Sequence, residues 1–217
     1  MNRVEKIQTK DGSDSLWMPD LDETYHSRHG ALQEAKHVFI EMGLNEVLKQ
    51  VPHPKILEVG LGTGLNCWLS FHHLKEKSLP LKYTALEAFP LEWDLVSSMN
   101  YAAEDRNLFE AIHRAEWGHP AELQPEKELL KIETKLENYL PSEKVNLVYF
   151  DAFGPNTQPE MWLPSQLQRC YNALDEGGVF VTYCAKGQVR RDLVSCGFEV
   201  ERLPGPPGKR EMLRGRK

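Results

Sequence analysis

The chain has 217 residues, 41% hydrophobic, with five Trp, enough to bury a full core and better suited to one domain than to two. No apolar run approaches the roughly 20 residues of a membrane span, and the N-terminal Met1-Asn2-Arg3-Val4-Glu5-Lys6 lacks the apolar core of a signal peptide, which implies a soluble, cytoplasmic protein with no membrane partner. A net charge of −6 argues against a generic nucleic-acid binder, and Cys67, Cys170, Cys184 and Cys196 show no C-x-x-C spacing, so neither a metal site nor a disulfide framework is expected.

Residues 9–29 are polar and turn-rich and read as an N-terminal extension with a hairpin around Ser15-Leu16-Trp17. From Gly30 to Gln50, the apolar residues Ala31, Ala35, Val38, Phe39, Met42 and Val47 recur near the 3.6 period of a helix. Residues 1–50 are therefore expected to pack as extension and helix on a core formed by 51–217. That core alternates: strand 55–59, helix 64–77, strand 81–87, helix 90–103, strand 128–134, strand 145–151, helix 159–174, strand 178–184 and helix 187–196. Strands 198–203 and 210–215, joined by Pro204-Gly205-Pro206-Pro207-Gly208, read as an antiparallel edge hairpin. The whole is an α/β, Rossmann-like fold with a mostly parallel sheet and helices on both faces. Residues 104–127 leave helix and strand open.

Within the first strand–helix unit, Ile56-Leu57-Glu58-Val59-Gly60-Leu61-Gly62-Thr63-Gly64 turns an apolar run into glycines at alternate positions. Residues without side chains let the backbone turn sharply and approach a ligand closely, with the N–H groups of the following helix converging on the loop. Dinucleotide enzymes use G-x-G-x-x-G; the spacing G-x-G-x-G is that of S-adenosyl-L-methionine sites. It resembles motif I of class I methyltransferases, which implies that Glu58 lies beside the methionine end of the cofactor. An ordinary tight strand–helix turn would show the same glycines. Glu87 closes the next strand, and its acceptor-only carboxylate suits the two ribose hydroxyls, disfavouring a 2′-phosphate while leaving NAD open.

Asn146-Leu147-Val148-Tyr149-Phe150-Asp151 is a buried-strand pattern ending in an acid. In an open α/β sheet, ligands bind beyond the carboxyl ends of the strands near the switch in strand order, which puts Asp151 beside Glu58, Gly60 and Glu87, facing the methyl group. The alternative is that Asp151 only caps the next turn. Charge is uneven as well: residues 186–217 carry nine Lys/Arg against four acids, a net +5, leaving −11 for residues 1–185. Such an end can steer a polyanion, or it can be a solvated face.

Tyr149-Phe150-Asp151-Ala152-Phe153-Gly154-Pro155, Pro159-Glu160-Met161-Trp162, Thr182-Tyr183 with Arg190-Arg191, and Gly208-Lys209-Arg210-Glu211-Met212-Leu213-Arg214-Gly215 together resemble the MnmC-type methyltransferase domain. Glu23-Thr24-Tyr25-His26-Ser27-Arg28-His29-Gly30-Ala31-Leu32-Gln33-Glu34-Ala35 resembles its leader. The resemblance implies methylation, by S-adenosyl-L-methionine, of the 5-aminomethyl group on the wobble uridine of tRNA, in a form without the flavin-dependent oxidase domain. It implies cofactor contacts at Glu58, Gly60, Gly62, Gly64 and Glu87, with Asp151 at the reacting centre. The family's Gly-Asp pair falls here near Thr134-Lys135, so backbone groups of Lys135 and Leu136 are expected to take its place. Tyr25, Phe153, Pro155 and Trp162 are candidates to hold a splayed base, each also readable as core. Lys186, Arg190, Arg191, Lys209, Arg210 and Arg214 are candidates for phosphate contacts. Glu34 is either a site residue or an exposed helix acid. Rival readings are another class I transferase with a different amine acceptor, including aminopropyl transfer, and a catalytically silent binding module.

Overall fold

The computed structural model describes residues 3–75 and 77–217; the expected passage of a helix through residue 76 and the reading of Met1-Asn2 lie outside the described residues. An eight-stranded sheet forms the centre. Its parallel part comprises β4 (Lys55–Val59), β5 (Leu81–Glu87), β7 (Lys127–Glu133), β8 (Val145–Phe150) and β9 (Leu174–Thr182), and both edges are antiparallel, β6 (Pro120–Gln124) on β7 and β11 (Glu211–Arg216) on β9, with β10 (Glu199–Pro204) outermost. The order is β10-β11-β9-β8-β4-β5-β7-β6. After β4 the chain builds outward through β5 and β7, then returns to pair β8 on the other side of β4. That reversal opens a crevice at the carboxyl ends of β4 and β8, where α/β sheets bind ligands.

The strand after the glycine loop's helix forms where its apolar run predicts, with Leu81, Tyr83, Ala85 and Leu86 buried, and so does the strand leading to Asp151, which is buried on both faces. Helix α3 (Leu65–Lys75) is buried along most of its length, Leu65, Trp68, Leu69, Phe71 and Leu74 among them. A helix apolar on all sides belongs in a core.

Several expectations are corrected. The first helix starts as α1 (Ala31–Ala35), but Lys36–Leu44 is π-helical before the last turn α2 (Asn45–Val47). The widened turn brings Val38, Phe39, Ile40, Gly43 and Leu44 inward together. A Cβ on Gly43 would lie 3.1 Å from Val181 and 3.3 Å from Tyr149, so glycine is what lets this helix press onto the sheet. The expected helix 90–103 shrinks to α4 (Trp93–Val96), because Arg106 takes the carbonyls of Ser97 and Met99, and Asn100 bonds Asp14 N–H and Gly12 O. In the undecided 104–127, Asp105 accepts the Leu108 N–H and caps α5 (Arg106–Arg114), and β6 pairs with β7. Helix 159–174 is two pieces, a 3-10 turn Pro159–Trp162 and α6 (Pro164–Ala173); Leu163, extended ahead of Pro164, breaks them. Helix α7 (Gly187–Ser195) and the terminal hairpin follow as read.

The N-terminal residues form a three-stranded antiparallel sheet, β1 (Glu5–Gln8), β2 (Asp14–Met18) and β3 (Glu23–Thr24). Leu16 is wholly buried in the same apolar cluster as Phe39, Leu65 and Tyr149.

Candidate active site

The glycine loop leaves β4 with Gly60, Gly62 and Gly64 at φ of +93°, +51° and +74°, backbone angles that strain any other residue. Each glycine also clears a neighbour. A Cβ would stand 3.0 Å from the Asp151 carbonyl at Gly60, 3.3 Å from the Tyr25 ring at Gly62 and 2.9 Å from His113 Nε2 at Gly64. His113 Nε2–H donates to Thr63 O over 3.2 Å, and the Tyr101 hydroxyl donates to the same carbonyl over 3.2 Å. Burial holds His113 and His26 down at about 4, and His26 Nε2 lies 3.4 Å from Thr63 Oγ1, so two neutral imidazoles brace the loop from behind.

Glu87 caps β5. Its Oε2 accepts the Gly62 N–H over 2.9 Å and its Oε1 the Phe89 N–H over 2.9 Å, which ties this acid to the loop and leaves further lone pairs on both oxygens. Thr134 N–H donates to Glu87 O over 2.9 Å, drawing the Lys135-Leu136 segment alongside; Leu136 is buried and Lys135 exposed.

Glu58 is wholly covered, behind Asn66 and Asp151. Burial first, and the Asp151 charge second, raise its carboxyl well above the carboxylate range. It lies against the Tyr83 hydroxyl and the Asn66 amide without an aligned hydrogen bond, and Asn66 Oδ1 is likewise buried without a partner. Asp151 follows β8, its N–H donating to Val59 O over 3.0 Å. Asn66 Nδ2–H donates to Asp151 Oδ2 over 2.8 Å. Burial pushes the Asp151 carboxyl up to about 7; Asn66 and the Lys209 cation pull it down, and the Glu34 charge adds to the rise.

Tyr25 packs edge-on to Phe153 with centroids 5.0 Å apart, so the leader and the loop after β8 make one half-buried aromatic rim above Gly62. Pro155 is half-buried in that loop. Trp162 is a correction: it is 5% exposed, stacks edge-on to Phe150 and donates its Nε1–H to Phe153 O over 2.7 Å. It supports Phe153 from the core and offers no free face.

The basic residues divide by which end of the sheet they occupy. β11 runs against β9 with Leu213 opposite Thr182, so the loop holding Lys209 and Arg210 returns to the carboxyl end, with Lys186, Arg190 and Arg191 beside it. Lys186, Arg191 and Arg210 are exposed, Lys186 bonding Asn156 Oδ1 and Arg191 bonding Gln188. Arg214 is the second correction. It points away from that end, is buried, and is spent on Glu201 at 2.7 Å, Glu46 at 3.3 Å and Met42 O at 3.2 Å. Sequence reasoning missed Asn66, Thr63 and His113. An amide inside the apolar run Leu65-Asn66-Cys67-Trp68 was the available signal for the first; nothing local marks His113.

Glycines that no Cβ could replace, a strand-end acid with free lone pairs, and unpartnered polar oxygen at Asn66 form a cleft that fits an adenosine ribose and an amino-acid end. Among the described residues no group of three or more His, Cys, Asp and Glu is arranged to hold a metal ion, and no helix is long and apolar enough to cross a membrane.

Comparison with known proteins points to the same cofactor. A family model described as S-adenosyl-L-methionine-dependent methyltransferase matches residues 123–217. The tRNA 5-methylaminomethyl-2-thiouridine biosynthesis bifunctional protein MnmC of Paracidovorax citrulli (strain AAC00-1) is 30% identical over 219 residues, 91% of this chain and 34% of the relative. Its counterpart in Polaromonas naphthalenivorans (strain CJ2) is 28% identical, over 98% of this chain and 36% of that protein. The chain spans about a third of the length of these curated relatives. The crystal structure of MnmC2 from Aquifex aeolicus superposes with a TM-score of 0.84 at 25% identity, covering 99% of this chain and 70% of that one. Spermidine synthase from Thermotoga maritima, at 15% identity and a TM-score of 0.57 over 99% of this chain and 72% of that one, shares the fold. Because the likeness runs along nearly the whole chain, this chain is an S-adenosyl-L-methionine-dependent methyltransferase, similar to the methyltransferase part of the MnmC proteins.

Proposed function

We propose that the chain transfers a methyl group to the 5-aminomethyl nitrogen of the wobble uridine in tRNA, giving the 5-methylaminomethyl form. The observation that carries this reading is Asp151, which stands at the carboxyl end of β8, against Gly60 and in the grip of Asn66, with its carboxyl raised to about 7. S-adenosyl-L-methionine supplies an electrophilic methyl on a sulfonium, and the departing sulfur becomes a neutral thioether.

An alkyl ammonium has no lone pair with which to attack. One N–H proton must leave before the N–CH₃ bond forms, and a carboxyl near neutrality accepts it far better than an ordinary carboxylate. Asp151 both orients the amine by its hydrogens and receives that proton, while Asn66 keeps the acid in one rotamer for in-line attack. The proton-accepting role extends the purely orienting one that an unperturbed aspartate would allow. Gly60, Gly62 and Gly64, with Glu87 and the Lys135-Leu136 backbone, hold the cofactor. Tyr25, Phe153 and Pro155 form the wall for a splayed base, which an anticodon loop presents at little unpairing cost. Lys186, Arg190, Arg191 and Arg210 face the phosphates. The names of the curated relatives, which concern tRNA 5-methylaminomethyl-2-thiouridine biosynthesis, support this choice of acceptor.

The test is transfer of labelled methyl to tRNA bearing 5-aminomethyl-uridine, with fully modified tRNA as control. Label in the first RNA alone is expected. No label in either, from folded protein that binds S-adenosyl-L-methionine, rejects the acceptor.

A further inference from the structure

Lys209 sits in an unusual place for a surface-loop lysine. Its Nζ pairs with Glu34, whose side chain is only 9% exposed, and rests 4.0 Å from the centre of the Tyr183 ring. The Tyr183 hydroxyl donates to Ala152 O over 2.9 Å, so the ring under the cation is anchored one residue from Asp151. Glu34 in turn accepts the Ser27 N–H over 3.0 Å through Oε1. The cage thus joins the leader, the segment after β9 and the terminal hairpin around a single ammonium.

The charges facing this corner are mostly acids. Glu34 from α1 acts on Asp151, Glu34 and Glu23 from β3 act on Tyr183 beside it, Asp151 in turn acts on Glu58 of β4, and the cation that acts on Asp151 is Lys209; Asn66 of α3 is neutral. A half-buried cation beside an acid and an incoming ammonium favours the ionised acid and disfavours the protonated amine. The second effect releases the acceptor lone pair, as cationic neighbours do for reactive lysines, and the first keeps Asp151 free to take the proton.

We propose that Lys209 is the charge-setting residue of the methyl-transfer site, a positioning residue whose ammonium, caged by Glu34 and Tyr183, governs the proton shared between Asp151 and the acceptor amine. This rests on the amine-methylation reading for its rate consequence, while its effect on Asp151 stands without any substrate. The atoms balance simply. The amine gives one proton to the Asp151 carboxylate, its nitrogen takes the methyl as the sulfonium sulfur leaves as a thioether, and Lys209 exchanges no proton.

The test has two arms. In the absence of substrate, an NMR titration of the Asp151 carboxyl in the full chain is expected to move its midpoint up by about one pH unit in Lys209→Met and down in Glu34→Gln, which retains the Oε1 acceptor for Ser27, while Lys209→Arg stays near the parent. With aminomethyl tRNA, the acid limb of kcat/KM is expected to move in the same directions, about tenfold in rate per unit on that limb. Limbs and midpoints unmoved in Lys209→Met and Glu34→Gln, or Lys209→Arg behaving like Lys209→Met, overturn the proposal. Absence of methyl transfer by the parent chain at every pH rejects the acceptor reading instead, and leaves the titration to decide on Lys209.

Discussion

Two imidazoles show how single residues tie the glycine loop to solution conditions. His26 and His113, both held at about 4 by burial, bind protons in the unfolded chain near pH 6.5 but resist them when folded. Their contribution to stability is therefore present above 6.5 and is lost as pH falls toward 4; Asp151, raised to about 7, works in the opposite direction. Urea unfolding of the parent at pH 7 and 4.5, compared with the His26→Gln, His113→Gln double variant, is expected to show the variant falling less on acidification, by on the order of 5 kcal/mol. Equal falls in the two proteins would mean that the imidazoles do not titrate as folded neighbours of Thr63. Trp162 makes the complementary point. The sequence leaves it readable as base platform or as core, and only the tertiary fold reveals that Phe150 covers it.

The terminal hairpin shows, at the scale of an element, that five basic residues can belong to one segment and do two jobs. Arg210 lies exposed at the carboxyl end of the sheet; Arg214, four residues on, is buried on the far side of the turn against Glu46 and Glu201. Arg210→Ala is expected to weaken tRNA binding and reduce the slope of log affinity against log salt by about 1, with Tm unchanged. Arg214→Ala is expected to leave that slope alone and cost about 1–2 kcal/mol of stability, because it removes the buried guanidinium that holds Glu201 and leaves the Met42 carbonyl without its donor, while Arg216 and Lys49 still pair with Glu46. Measured salt slopes and thermal unfolding of the two variants separate the roles, and the reverse pattern would refute them. Strand alternation and the turn at 205–210 were legible in the sequence because they are local. The pairing of Arg214 was not, since Glu46 lies 168 positions away. The same reasoning covers the π-helical Lys36–Leu44, whose apolar spacing reads as an ordinary helix until Gly43 is seen against Val181 and Tyr149.

Across the whole molecule, the site exists only where leader, glycine loop, β8 and hairpin meet. The glycine loop, Glu87 and Asp151 were readable because strand signals and sheet topology place them at one crevice; Tyr25 over Gly62 and Glu34 against Lys209 required the leader to fold back onto it. We infer that residues 1–50 unfold together with the rest. Leu16→Ala, deep in the shared core, is expected to lower stability by about 2–5 kcal/mol in one transition followed identically by far-ultraviolet dichroism and Trp fluorescence. Two separated transitions would show an independent leader. Asp151 is the centre of the proposed chemistry, and the most direct measurement is the single-turnover rate of Asp151→Asn on aminomethyl tRNA with cofactor and RNA saturating. A fall of at least about a hundredfold is predicted, with affinities for S-adenosyl-L-methionine and tRNA within a few-fold of the parent. Turnover at the parent's rate would contradict it.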